Sequence, residues 1–399
     1  MYSSADLEQR LPAVRSNLTV AIVTETYPPE VNGVALTLAR LASALEHHAH
    51  RVQVIRPRQA TEDLPGRRET FEELLVAGIR IPRYKGLRVG LPAGGALRRL
   101  WMLRRPDIVH VATEGPLGWS AVAAAVALRL PVATAFHTNF HRYSAHYGFG
   151  FLGKPIARYL RCFHDRAQAT MVPTAELKRE LERQGYRDVR VVARGVDARM
   201  FDPRRRSEYL RRSWGVREGG LVALQVGRLA PEKNLRLAAR AAEAMRAVNP
   251  HLRMVWVGDG PERTVMQRSL PGHVFAGMRT GEDLATHYAS ADVFLFPSTT
   301  ETFGNVTLEA MASGLAIVAY DYAAAAQHLE HGVSGLLAPP GDETAFVRCA
   351  EETMVRAAWL AGLRRRAREA ATHVDWENVY SDYERVLLEV LGRQEQPRA

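Results

Sequence analysis

Glu301 and Glu309 stand eight positions apart in Phe296-Pro-Ser-Thr-Thr-Glu-Thr-Phe-Gly-Asn-Val-Thr-Leu-Glu, and carboxylates at that spacing can grip a polyhydroxylated ligand. The stretch reads as a strand ending at Pro297, a loop carrying Glu301, and a helix beginning near Asn305 whose free amides favour anionic or oxygen-rich ligands. Glu301 before the helix and Glu309 one turn inside it can meet one elongated ligand at different depths. Carboxylates accept hydrogen bonds from vicinal hydroxyls, as sugars and ribose present them. The plain alternative makes Glu301 a charge favoured by the helix dipole and Glu309 a solvated helix residue.

A second cluster supplies cations. Gly227-Arg228-Leu-Ala-Pro-Glu232-Lys233-Asn follows a strand and precedes a helix, and Arg228 with Lys233 could neutralise a departing diphosphate. A surface ion pair with Glu232 is the competing reading. Gly33, in Pro28-Pro29-Glu30-Val31-Asn32-Gly33, sits at the first strand-to-helix turn, where a missing side chain admits a phosphate close to the backbone. His137 closes the strand read over 132–136, and a neutral imidazole there could hydrogen-bond a sugar hydroxyl or simply be a satisfied polar group.

Absences narrow the chemistry. There is no G-x-x-x-x-G-K-[ST] phosphate loop, and Gly258-Asp-Gly260-Pro-Glu-Arg lacks the third glycine of a dinucleotide fingerprint. No Asp-x-Asp pair is available to hold a divalent metal on a diphosphate, so that work falls to Arg228 and Lys233. Cys162 and Cys349 make no disulfide framework, and no Cys/His cluster has zinc-ligand spacing; a reducing cytosol fits.

The elements that would position these residues alternate short β-branched runs with helical patterns, the mark of parallel βαβ units. Strands are expected over 18–24, 51–56, 108–112, 132–136 and 169–172, then over 221–226, 253–257, 273–275, 293–296 and 315–319. Helices are expected over 238–247, 284–290 and 306–312. The alternation pauses near Phe201 to Gly220. The fold class expected is therefore α/β: two tandem doubly wound Rossmann-like domains, 1–200 and 201–375, facing across a cleft at the carboxyl ends of their strands. A terminal amphipathic helix over 376–392 is expected to pack back on the first domain.

Charge is divided unevenly. Of the 399 residues, 1–200 carry 29 Lys and Arg against 18 Asp and Glu, and 201–399 carry 24 against 25. No acid occurs between Glu73 and Asp107, while Arg80, Arg83, Lys85, Arg88, Arg98, Arg99, Arg104 and Arg105 fall inside. In Ala96-Leu-Arg-Arg-Leu-Trp-Met-Leu-Arg-Arg105 cations interleave with Leu, Trp and Met, suiting either an anionic bilayer interface or a core-packed helix with a basic outer face. The longest apolar run, 121–128, is too short to span a membrane, and the polar start through Ser16 lacks a signal peptide's apolar core.

Taken together, these residues resemble the retaining glycosyltransferases of family 4, with the GT-B fold. The resemblance rests on Glu301-x7-Glu309 with Phe303-Gly304, on the Gly-Arg-Leu-x-x-Glu-Lys-Asn box at 227–234, on the Gly33 turn, on Arg194-Gly195-Val196-Asp197, and on Ala291-Asp292-Val293 leading into Phe296-Pro297-Ser298. Within the family, Phe136-His137-Thr138-Asn139-Phe140 and Gly281-Glu-Asp-Leu-Ala look closest to bacterial mannosyl- and sulfoquinovosyl-type transferases that glycosylate lipids. The resemblance implies that Glu301 takes the donor sugar's hydroxyls, with amides of Phe303, Gly304 and Asn305 beside it. Glu309 takes the ribose, Arg228, Lys233 and Gly33 the diphosphate, and His137 the sugar near the reacting centre. Arg194, counted with these as a donor-binding residue, stands where relatives often have asparagine before Gly-Val-Asp. No metal and no cofactor is implied.

The expected partners are a nucleotide-sugar donor, a lipid or glycan acceptor, and an anionic membrane surface met by the basic first domain, with no nucleic acid and no oligomeric state assigned. The expected place is the cytoplasm, peripheral on the inner membrane. The reading is transfer of mannose from GDP-mannose to a membrane lipid or glycolipid, against a UDP-sugar (glucose, glucuronate or sulfoquinovose) passed to diacylglycerol, a nucleotide-sugar epimerase or phosphorylase, or a basic nucleic-acid-binding protein.

Overall fold

The computed structural model describes residues 17–30, 32–80, 88–137 and 153–395; the motif residues Thr138, Asn139 and Phe140, with Arg83 and Lys85 of the basic stretch, lie outside the described residues. Two parallel sheets organise the chain. The first holds β1 (Thr19–Val23), β2 (Arg51–Pro57), β3 (Phe71–Val76), β6 (Ile108–Val111), β7 (Val132–Ala135), β8 (Ala169–Val172) and β9 (Val189–Val191), in the order β3-β2-β1-β6-β7-β8-β9. A separate antiparallel pair, β4 (Gly78–Arg80) and β5 (Arg88–Gly90), lies between β3 and β6 in the chain. The second sheet holds β10 (Val222–Val226), β11 (Arg253–Val257), β12 (Val274–Gly277), β13 (Val293–Phe296), β14 (Ala316–Tyr320) and β15 (Leu336–Ala338), in the order β12-β11-β10-β13-β14-β15.

Both sheets are doubly wound. The order reverses between β1 and β6 in the first and between β10 and β13 in the second, and such reversals leave a crevice at the strands' carboxyl ends. Helices cover both faces, so the central strands read as continuous apolar runs: β6, β10, β13 and β14 are buried throughout. All ten strands read from the sequence are present, with ends shifted by a residue or two. Helices occupy Leu235–Val248, Gly281–Ala289 and Asn305–Ala312, slightly longer or earlier than the periodicity placed them.

The terminal helix Trp376–Glu395 lies against the first sheet. Val379, Tyr380, Tyr383, Val386, Leu387 and Val390 join Leu38 and Leu41 of the first helix and Val20 and Ile22 of β1 in one core. Tyr383 is wholly buried, with its hydroxyl 2.8 Å from Nδ1 of His110 on β6. The two strands of chain that pass between the sheets run side by side: the amide of Val196 donates to the carbonyl of Val374, and a Cβ on Gly195 would stand 2.9 Å from the amide nitrogen of Trp376.

The basic stretch forms the helix Gly94–Leu103. Leu97 and Trp101 are buried under it, while Arg98, Arg99, Arg104 and Arg105 are exposed, so it packs on the core with a basic outer face. Its end is not a plain polar surface, because Met102 and Leu103 are 63% and 85% exposed. Among the described residues no helix is long and apolar enough to cross a membrane.

Candidate active site

Arg228, Lys233 and Glu301 are brought together by strand adjacency. β10 pairs in parallel with β13, so the loops leaving their carboxyl ends, 227–234 and 297–304, emerge side by side at the switch point. Lys233 is ion-paired to Oε1 of Glu301 and lies 5.6 Å over the Phe296 ring. The same carboxylate oxygen accepts from the Ser298 hydroxyl at 2.6 Å, and the Glu301 amide reaches the Tyr322 hydroxyl at 2.7 Å. Arg228 is about one third exposed and 3.9 Å from Glu232, so part of the ion pair weighed against the diphosphate role is present.

Glu309 lies one turn into the Asn305 helix and is not a solvated helix residue. Burial pushes its carboxyl up to about 7, opposed by a 2.9 Å hydrogen bond from the Tyr288 hydroxyl. The helix start is set by Gly304, whose φ of +93° lies in the left-handed region that a side chain disfavours. Phe303 buries its ring in the core, and its carbonyl accepts from the Ala324 amide.

Gly33 opens the first helix of the chain, Gly33–His47, capped by Asn32, whose side chain accepts from the amides of Val34 and Ala35 at 3.1 and 2.9 Å. Such a cap is worth about 1 kcal/mol. The Asn305 side-chain amide lies 3.5 Å from the Gly33 carbonyl, and a Cβ on Gly33 would stand 3.3 Å from it. The glycine turn of one sheet thus meets the helix start of the other, across the cleft.

His137 is placed differently from expectation. It follows β7 at the same edge as Gly33, yet neither ring nitrogen is open: Nδ1 is hydrogen-bonded to the guanidinium of Arg194, and Nε2 is buried with no hydrogen-bond partner among the described residues. A guanidinium can only donate, so Nδ1 carries the lone pair and Nε2 the proton. Burial, reinforced by Arg194, holds this imidazole well below its ordinary value and therefore neutral. Arg194 itself is buried, which pushes its guanidinium down to about 10, still charged at neutral pH. A cavity of about 10 Å³, room for roughly one water, lies among His110, His137, Arg194 and Tyr383. Among the described residues no group of three or more His, Cys, Asp or Glu could hold a metal ion.

Ser298, Tyr288 and Tyr322 support the two glutamates, a role not read from the sequence, where Ser298 enters only as part of the Phe296-Pro297-Ser298 motif. Ser298 lies three residues before Glu301 and was within reach of local reasoning. The two tyrosines come from elsewhere in the chain, and only the folded sheet brings them in.

Two doubly wound sheets facing across such a cleft make the GT-B glycosyltransferase architecture. The chain belongs to glycosyltransferase family 4: residues 31–199 match the family described as Glycosyltransferase Family 4, and residues 220–354 the one described as Glycosyl transferases group 1. It is 35% identical over 332 residues to a GDP-mannose-dependent alpha-mannosyltransferase of Mycobacterium tuberculosis (strain CDC 1551 / Oshkosh), covering 81% of this chain and 84% of the relative. It is 36% identical over 248 residues to the sulfoquinovosyl transferase SQD2 of Arabidopsis thaliana, covering 60% of this chain and 48% of the relative. Among solved structures, sucrose-phosphate synthase from Thermosynechococcus elongatus superposes with a TM-score of 0.76 over 94% of this chain and all of that one, at 17% identity.

Proposed function

We propose that the protein transfers mannose from GDP-mannose to a membrane lipid or glycolipid, with retention of anomeric configuration and without a metal. The similarity to GDP-mannose-dependent mannosyltransferases supports the donor, and the Lys233–Glu301 ion pair at the switch point is the observation that carries the chemistry. On donor entry that pair separates: Lys233 and Arg228 take the diphosphate, Glu301 the sugar hydroxyls, and Glu309 the ribose. Amides of Phe303, Gly304 and Asn305 border the sugar, and Gly33 lets the distal phosphate approach its backbone. Residues 201–375 form the donor domain and 1–200 the acceptor domain, with the helix at 376–392 belonging to the latter.

The C–O bond to the diphosphate breaks through an oxocarbenium-like transition state, stabilised by Arg228, Lys233 and the helix start at Asn305. The acceptor hydroxyl attacks on the face the phosphate leaves, and the departing phosphate oxygen takes its proton. His137, held neutral with its proton on Nε2, stands near the reacting centre of the sugar. The exposed Met102 and Leu103, beside Arg98 and Arg99, seat the acceptor domain peripherally on the anionic cytoplasmic face of the inner membrane.

A thermal-shift screen of GDP-, UDP- and ADP-sugars tests the donor, because a ligand bound only by the folded state raises its stability. GDP-mannose should give the largest shift. A larger shift with a UDP-sugar would overturn the donor assignment and favour transfer to diacylglycerol; conversion of the donor to an isomer without acceptor would indicate an epimerase.

A further inference from the structure

Tyr288 lies on the helix Gly281–Ala289 with its ring wholly buried, edge-on to Phe201 at 5.6 Å and 6.0 Å from Phe294 of β13. Close packing on those sides fixes the ring and with it the direction of the hydroxyl. A buried tyrosine needs a partner for its O–H, and a main-chain carbonyl would serve. This one donates instead to Oε2 of Glu309, at 2.9 Å. It is the one hydrogen bond the Glu309 side chain makes among the described residues; Oε1 has none, and the residue is only half-buried. One oxygen of the carboxyl is thus tied to the core and the other is left for a ligand.

The charge on that carboxyl decides what it can accept. A carboxylate accepts from hydroxyls with both oxygens, whereas a neutral carboxylic acid carries a proton on one of them. Burial pushes Glu309 up to about 7, and the Tyr288 bond opposes burial because it favours the ionised form. Burial and the neighbouring Glu309 push the Tyr288 phenol well above its ordinary 10, so it remains a donor throughout the neutral range. The other charged groups nearby are engaged with different partners. On the same helix as Tyr288, His287 and Asp283 bond each other. Helices Ala323–His328 and Ala357–Thr372 and strand β14 also pack on Asn305–Ala312. His328 stands edge-on to Phe303 and is held neutral by burial, at about 4, while Tyr320 of β14 meets Phe346. Arg364 is paired with Asp292, and Arg368 with Asp202 and the carbonyls of Ala198 and Phe201. Arg40, on the first helix of the chain, favours the ionised Glu309 from the first domain but is itself paired with Asp197 at 3.3 Å.

We propose that Tyr288 is a positioning residue for the nucleotide's ribose: its hydroxyl holds Glu309 as a carboxylate and leaves Oε1 for the 2′- and 3′-hydroxyls. The inference rests on the reading that Glu309 takes the ribose.

The experiment is a calorimetric titration of the full chain from pH 6 to 9 with GDP and with 2′,3′-dideoxy-GDP, which keeps the base and the diphosphate. The uridine pair is run alongside, so that the identity of the base does not mask an effect at the ribose. The wild type should bind the ribonucleotide more tightly than its dideoxy form, and that advantage should grow as pH rises through 7, where the carboxyl ionises. An advantage flat with pH would overturn the proposal without any variant. Tyr288→Phe keeps the ring and drops the hydroxyl. It should weaken the ribonucleotide about fivefold at neutral pH, move the midpoint of the advantage up by about one pH unit, and leave the dideoxy form as it was. The loss should narrow toward pH 9. In Glu309→Gln the advantage should be small and flat with pH, and adding Tyr288→Phe should change nothing further. A ring serving only the core would weaken both forms alike with the pH profile unmoved, and that result would also overturn the proposal. The two claims fail separately. A wild type that binds both forms equally takes the ribose from Glu309 and the proposal with it, whereas a preference that survives Tyr288→Phe unaltered overturns the role of Tyr288 alone.

Discussion

Lys233 and Glu301 hold each other at the switch point of the second sheet, each about one seventh exposed, so either alone would be a poorly compensated charge. Glu301→Gln keeps the shape and removes the acceptor for the sugar's hydroxyls. Transfer should fall by roughly two orders of magnitude or more, with the circular dichroism spectrum unchanged; a rate within a few-fold of wild type would remove Glu301 from the site. Glu309 makes a different prediction. Its carboxyl lies at about 7 in the fold against an ordinary 4.5, so between those values the folded state holds more protons than the unfolded state. Its contribution to stability therefore falls as pH rises through that window. The midpoint of Glu309→Gln relative to wild type should climb as pH is raised across it, and a difference flat with pH contradicts the assignment. The glutamate pair was legible because its spacing is local. The Lys233–Glu301 contact, 68 residues long in sequence, and the Arg194–His137 contact needed the sheet order, which no window of sequence contains.

At the scale of elements, the helix Asn305–Ala312 depends on Gly304. A Cβ there would stand 3.4 Å from the Phe296 ring and 3.6 Å from Cγ of Glu301, at a positive φ. Gly304→Ala should destabilise by about 1–2 kcal/mol and displace the helix start, read as a lowered thermal midpoint together with a raised KM for donor. The helix Gly94–Leu103 carries another prediction. Met102→Ser with Leu103→Ser should reduce sedimentation with phosphatidylglycerol vesicles about tenfold without altering donor-induced thermal shifts. Vesicle binding equal to wild type would show that these side chains meet no bilayer. The buried central strands announced themselves as apolar runs. β3 did not, because Glu72 and Glu73 interrupt it at the sheet's edge, and β9 and β15 are three residues each, too short for any periodicity. The helix at Gly281 starts three residues before the periodicity places it, because glycine looks like a loop residue until the chain is seen turning, whereas the start near Asn305 is legible in the sequence.

Over the whole molecule, the basic surplus falls in the first 200 residues and the glutamate and Arg/Lys cluster in the remainder, a division suited to an anionic surface on one side and an activated sugar on the other. The two sheets and the cleft at their carboxyl ends follow from two successive βαβ arrays, the feature of scale that alternation in the sequence carries; the return crossing beside Val196 at Val374 belongs instead to the amphipathic terminal helix. Charge neutralisation by side chains alone predicts that excess EDTA leaves transfer unchanged; reversible loss restored by Mg²⁺ or Mn²⁺ would refute a metal-free mechanism. The most direct test of the account is the structure of the protein with GDP, solved in the presence of EDTA. It should show Glu309 on the ribose hydroxyls and both Arg228 and Lys233 on the diphosphate. A nucleotide bound elsewhere, with Lys233 still paired to Glu301, would contradict it.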